Sequence, residues 1–158
     1  MSNEKMTCTF RPAMVWGSSL AFLIMTPMVH AAQIVKLTQL PCQFLESEGG
    51  INRGYTSRSI KDCEAINDRT SRQRLAEAKP LVLKAGKYVF QVANKNVPYE
   101  LGFWLRGATL VTRATLPSVS GGGILPGGSR EYEIDLKPGE YVYSCPLNNT
   151  PDYKLIVR

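Results

Sequence analysis

From Leu125 to Arg158 the chain reads LPGGSREYEIDLKPGEYVYSCPLNNTPDYKLIVR, the stretch that most restricts its fold. Glu131 to Leu136 alternates polar and apolar with period two, the pattern of a strand with one face on a core. Lys137-Pro138-Gly139-Glu140 has turn chemistry: proline presets φ and glycine is free to take positive values. Tyr141-Val142-Tyr143 resumes a β-rich run that ends at Cys145. A short polar loop then leads into Tyr153-Lys154-Leu155-Ile156-Val157 as a closing strand.

Upstream the same vocabulary recurs. Gln33 to Leu40 alternates as a first strand, ended by Pro41-Cys42. Gln43 to Thr56 is polar and glycine-containing and reads as a loop or poorly ordered insert. Ser59 to Ala78 is the one helical stretch, capped by Ser59 or Asp62 and stopped by Pro80, with about two turns expected around Lys61 to Asn67. Its apolar residues are few, so a surface position is expected. Leu81 to Lys84 and Lys87 to Ala93 read as strands around a turn at Ala85-Gly86. Asn94 to Pro98 reads as a loop, and Tyr99 to Arg106 as a strand that sends Phe103 and Trp104 to opposite faces. Leu110 to Leu116 is expected to be a further strand and Pro117 to Ser129 a glycine-rich loop. Gly121-Gly122-Gly123 lacks the Lys-Ser/Thr and the helix of a phosphate loop. Together these predict an all-β Greek-key β-sandwich with one short peripheral helix.

The first residues carry a different signal. Lys5 and Arg11 precede an apolar run from Met14 to Val29, and Val29-His30-Ala31 suits a signal peptidase. Cleavage is expected after Ala31, with Ala32 as a near alternative. The run is shorter than the roughly 20 residues of a membrane span, and Gly17, Ser18, Ser19 and Pro27 interrupt it. The expected division is therefore a leader over 1–31, an N-terminal strand and insert over 32–80, and a core over 81–158, with 32–158 forming one structural domain. No stable span is expected after cleavage, and a periplasmic or secreted location follows. Every one of the five methionines and the single histidine, His30, lie in the leader.

The formal net charge is +6. Basic residues gather between Arg53 and Lys79, but Asp62, Glu64, Asp68 and Glu77 interrupt them, as on a solvated face. No aromatic interleaving or nucleic-acid motif accompanies them, so nucleic acid is not an expected partner.

Three of the four cysteines follow the leader. In an oxidising compartment a pair among them is expected to be bridged. Cys42 and Cys63 bracket the least apolar segment, and joining them would stabilise the fold by about 3 kcal/mol. Cys42–Cys145 and Cys63–Cys145 are the other pairings. The preferred pairing leaves Cys145 over.

The Pro-Gly turn, the strand ending in Cys145 and the closing strand resemble the C-terminal half of the cupredoxins, particularly the EfeO-type branch. The resemblance covers about residues 81–158. It implies a small β-sandwich in which two histidines, a cysteine and a weak axial methionine hold one copper. Where that family has a first histidine after an Asn-containing loop, this chain has Tyr99, in Asn94-Lys95-Asn96-Val97-Pro98-Tyr99-Glu100-Leu101. Where it has C-P-x-x-G-H, this chain has Cys145-Pro146-Leu147-Asn148-Asn149-Thr150. Asp152 and Tyr153 occupy the neighbourhood of the axial methionine. The scaffold is kept and the imidazoles are not, so neither type 1 copper nor any other cofactor is expected.

Two functions are consistent with this. One is an exported cupredoxin-like binding module, contacting a periplasmic protein or small ligand through Tyr99, Trp104, Cys145, Thr150, Asp152 and Tyr153. The other is a periplasmic copper-handling or thiol-redox protein that uses Cys145. Without histidine no Ser-His-Asp or Cys-His set can be assembled, so an enzyme is not expected.

Overall fold

The computed structural model describes residues 31–158; the expected leader up to His30 lies outside them. The chain forms β1 (Gln33–Leu40), β2 (Gln43–Phe44), α1 (Ile60–Glu77), β3 (Leu81–Leu83), β4 (Gly86–Asn94), β5 (Leu101–Gly107), α2 (Leu110–Thr115), β6 (Val119–Ile124), β7 (Ser129–Leu136), β8 (Gly139–Ser144) and β9 (Tyr153–Val157). Two sheets face each other, ordered β2-β1-β4-β7 and β3-β9-β8-β5-β6. β1 runs parallel to β4 and β3 parallel to β9; the other pairs are antiparallel. This is the two-sheet β-sandwich expected, with one main helix beside it.

Alternation decides what enters the core. Tyr132, Ile134 and Leu136 of β7 point inward opposite Phe90, Tyr88 and Gly86 of β4. Across the gap, Tyr141 and Tyr143 of β8 pair with Leu155 and Tyr153 of β9. As expected, β5 sends Phe103 into the core while Trp104 stays partly exposed. Phe44 sits at the centre, edge-on to Tyr143, Tyr153 and Phe103 at centroid distances of 5.5, 6.0 and 6.3 Å.

Four expectations are corrected. Gln43 to Thr56 is not a loose loop: Gln43, Phe44, Ser47 and Glu48 are buried. The Gln43 amide fixes the segment by donating to Ile51 O at 2.8 Å and accepting from Arg53 N at 3.0 Å. Second, α1 has 18 residues and not two turns. The Asp62 carboxylate accepts from Ser59 N at its start, and its extended C-cap Ala78 lies two residues before Pro80. Third, Leu110 to Leu116 is not a strand. Thr109 and Thr112 bond reciprocally, Thr112 Oγ1 accepting from Thr109 N at 2.8 Å, and this capping box overrides the β-propensity of Leu-Val-Thr. Gly107 permits the reversal, since a Cβ there would overlap the Thr112 carbonyl.

Fourth, Pro117 to Ser129 contains β6, so Gly121-Gly122-Gly123 is strand and not a free loop. β5 and β6 approach so closely that a Cβ on Gly102 would sit 2.8 Å from Gly121 O. The edge that β6 forms is covered by side chains: Gly123 N donates to Glu100 Oε1 at 2.6 Å, and Tyr132 OH donates to Gly121 O at 3.1 Å.

Among the described residues no helix is long and apolar enough to cross a membrane. The strand directions define two ends. The Cys145 end collects the loops after β1, β4 and β8. The opposite end collects the β3–β4 and β7–β8 turns, α2 and the start of β1.

Candidate functional site

At the Cys145 end the loop after β8 closes on itself. Thr150 Oγ1 accepts from Cys145 N at 2.8 Å, and Cys145 O accepts from Asn148 N and Thr150 N, both at 3.2 Å. The thiol is fully buried and accepts from Gly102 N at 3.3 Å. Burial pushes it above the usual thiol range, although that backbone N–H works the other way.

Around this loop lie amides. The buried Asn148 accepts from Cys42 N at 3.0 Å and donates to Leu40 O at 2.8 Å. Gln39 donates to Gly102 O at 2.7 Å and Asn67 to Asn149 O at 2.5 Å. Cys42 and Cys63 form the preferred disulfide, with Cys63 Sγ 3.3 Å from Asn148 Oδ1. The insert and α1 are thus fastened over the Cys145 loop through polar contacts.

Sparse apolar content does not prevent α1 from docking, because its inward residues are Cys63, Asn67 and Arg74. Arg74 is 1% exposed and donates through Nη2 to Glu48 Oε1 at 2.5 Å, Cys42 O at 2.9 Å and Tyr153 OH at 3.1 Å. Glu48 also takes Arg53 Nε at 2.8 Å. The expectation that the Arg53 to Lys79 cluster is a solvated face is therefore corrected at Arg74, and in part at Arg53, which also bridges to Glu77.

The six candidate residues separate into distinct places. Cys145 and Thr150 share the loop. Tyr99 is half-buried and turns toward the insert, donating to Ser57 Oγ at 3.1 Å with its hydroxyl 3.8 Å from Cys63 Sγ. Burial raises its phenol. Tyr153 is a core residue, held by Phe44, Arg74 and Glu48. Trp104 and Asp152 meet through Arg106 on the outer face of the five-stranded sheet. Arg106 Nη2 donates to both Asp152 oxygens at 2.7 and 2.8 Å, and its guanidinium stacks 3.8 Å from the centre of the Trp104 ring.

Arg106 was missed although it is two positions from Trp104 on one strand, which places both on the same face. Asn148, Glu48 and Arg74 carried no local signal, since their partners come from segments far away in sequence.

Trp104 (36% exposed) and Leu147 (41%) flank a cleft of about 320 Å³ that Gly102, Gly121, Gly122 and Pro146 help to line. Its glycines leave the floor flat, and its walls are largely apolar.

A type 1 copper site takes two imidazoles and a thiolate in a trigonal set. The described residues contain no histidine or methionine, and no three of their His, Cys, Asp and Glu side chains cluster as metal ligands. The groups facing the Cys145 thiol are amides, so this donor set does not fit copper.

No protein family matches the chain, and no curated protein does. Among solved structures it is similar to auracyanin B, with 14% identity, 80% of this chain and 89% of that chain covered, and a TM-score of 0.49. It is also similar to a Cu(I) form of an amicyanin variant, with 16% identity, 52% and 71% covered, and a TM-score of 0.36. A reduced amicyanin variant gives 17% identity, 52% and 71% covered, and a TM-score of 0.35.

Proposed function

We propose that the chain is an exported, copper-free cupredoxin-like binding module that contacts a periplasmic protein or small ligand beside the Cys145 loop. One observation carries this reading: amides lace the Cys145 end, while Trp104 and Leu147 remain partly exposed around a shallow apolar cleft. Pockets of this character, with a few fixed polar groups at their margin, suit small ligands and side-chain anchors. Ser120 lines the cleft, and Arg106, held by Asp152, stacks on Trp104 and keeps the indole in place. Tyr99 belongs to the packing of the insert in this reading, and the contact surface centres on Trp104. No catalytic role is assigned.

The alternative, copper handling or thiol redox through Cys145, draws less support from the site. A buried thiol pushed upward by desolvation stays protonated at neutral pH, and the thiolate is the reactive form.

Periplasmic extract passed over immobilised protein tests the proposal, with wild type beside Trp104→Ala. A species retained by the wild type and lost from the variant is expected. Equal retention by both proteins contradicts the assignment to Trp104.

A further inference from the structure

We infer that the end of the sandwich opposite Cys145 docks on an anionic lipid bilayer surface. Leu110 and Val111, the first two residues of α2, are 84% and 73% exposed. No residue of α2 is buried, and this apolar pair meets no covering element among the described residues. Packing therefore gives no account of leaving Leu-Val at the tip.

The surroundings indicate what meets the pair. Arg113 lies in α2 itself. The β7–β8 turn that receives α2 carries Lys137, Ala108 N donates to Glu140 O, and Leu116 packs at Gly139. Arg158 follows β9, whose last strand residue, Val157, pairs with Gly139. Lys84 lies in the β3–β4 turn and Lys87 one residue into β4. These five cations are exposed and outnumber the exposed carboxylates at this end, Glu133, Asp135 and Glu140. A basic ring around an apolar tip complements anionic headgroups over an acyl layer. A protein partner of matching acidity would satisfy the charges equally, but chain entry favours the bilayer. Gln33 pairs with Tyr88 at this end, so the apolar run Met14 to Val29 joins the domain here through a few residues. On the export reading proposed above, the exporting membrane is the surface that this end leaves last. Docked in this way, the sandwich presents its Cys145 end away from the lipid.

Vesicle sedimentation tests the inference, using protein recovered in its processed form from exporting cells. The vesicles are phosphatidylcholine alone and phosphatidylcholine mixed with phosphatidylglycerol. The expected result is about tenfold or greater preference for the anionic vesicles, weakened by added salt. Leu110→Ser/Val111→Ser should lower binding by about tenfold without changing the thermal midpoint, because neither side chain packs in the fold. Lys84→Glu/Lys137→Glu should abolish the anionic preference. Equal binding to both vesicle types overturns the inference, as does undiminished binding of the Leu110/Val111 variant.

Discussion

The Tyr153 hydroxyl donates to Glu48 Oε1 at 2.5 Å, joining the closing strand to the insert at a point that solvent does not reach. Arg74 donates to the same oxygen at 2.5 Å. Three polar groups thus meet inside an otherwise aromatic region, and the fold depends on all three remaining paired.

Removing the carboxylate should be costly. Glu48→Leu leaves the Arg74 guanidinium buried without its counter-charge, so a loss of about 3–5 kcal/mol is expected in urea unfolding. Glu48→Leu combined with Arg74→Met should lose clearly less than the sum of the two single changes, because the paired charges leave together.

The helix and insert should loosen when the disulfide is removed. Cys42→Ser/Cys63→Ser frees the unfolded chain and is expected to cost about 3 kcal/mol, read as a lower thermal midpoint. The change also leaves Asn148 facing hydroxyls, so the Cys145 loop should show faster amide exchange.

Gly107→Ala tests the reversal into α2. A methyl there meets the Thr112 carbonyl, so the backbone must shift, at about 1–3 kcal/mol or more. Gly127→Ala is a control of the opposite kind: nothing lies within 4 Å, and only its φ of +74° opposes the change.

Stability should fall at alkaline pH. Burial raises the Cys145 thiol and pushes the Tyr143 phenol up to about 12, despite the Ser47 hydroxyl bond. Folded values above the unfolded ones give stability that is complete below the unfolded pKa and lost as pH rises through the folded pKa. The decline should begin above about pH 8.5, near the unfolded thiol value, and steepen above about pH 10 as unfolded tyrosines ionise. Thermal midpoints across pH 7 to 11 check this, and a flat profile would contradict it. Native Cys145 should also resist iodoacetamide at neutral pH and react once urea unfolds the chain.

How much of this was legible in the chain follows from where each residue finds its partners. β7, β8 and β9 were readable because alternation and a Pro-Gly turn are local. So was the start of α1, where Ser59 and Asp62 stand three residues apart. β6 was not, since glycines carry no alternation and their use appears only when Gly102 of β5 is placed against them. α2 was misread because a threonine capping box looks like ordinary β-rich sequence.

The site was less legible than the fold. Cys145 and Thr150 stand together because only four residues lie between them. Tyr153 resembled a recognition aromatic until Glu48 and Arg74 supplied partners for its hydroxyl. Asn148 filled its place through Leu40 and Cys42, which no spacing rule connects to it.

The central claim is that this end of the sandwich binds through its surface and not through a metal. The direct measurement is a titration of the processed protein with Cu(II), followed by visible absorption and by copper content after gel filtration. The account predicts no blue band and no stoichiometric copper, with Cys145→Ser behaving as the wild type. An intense blue band carried by one copper per chain, and lost in Cys145→Ser, would contradict it.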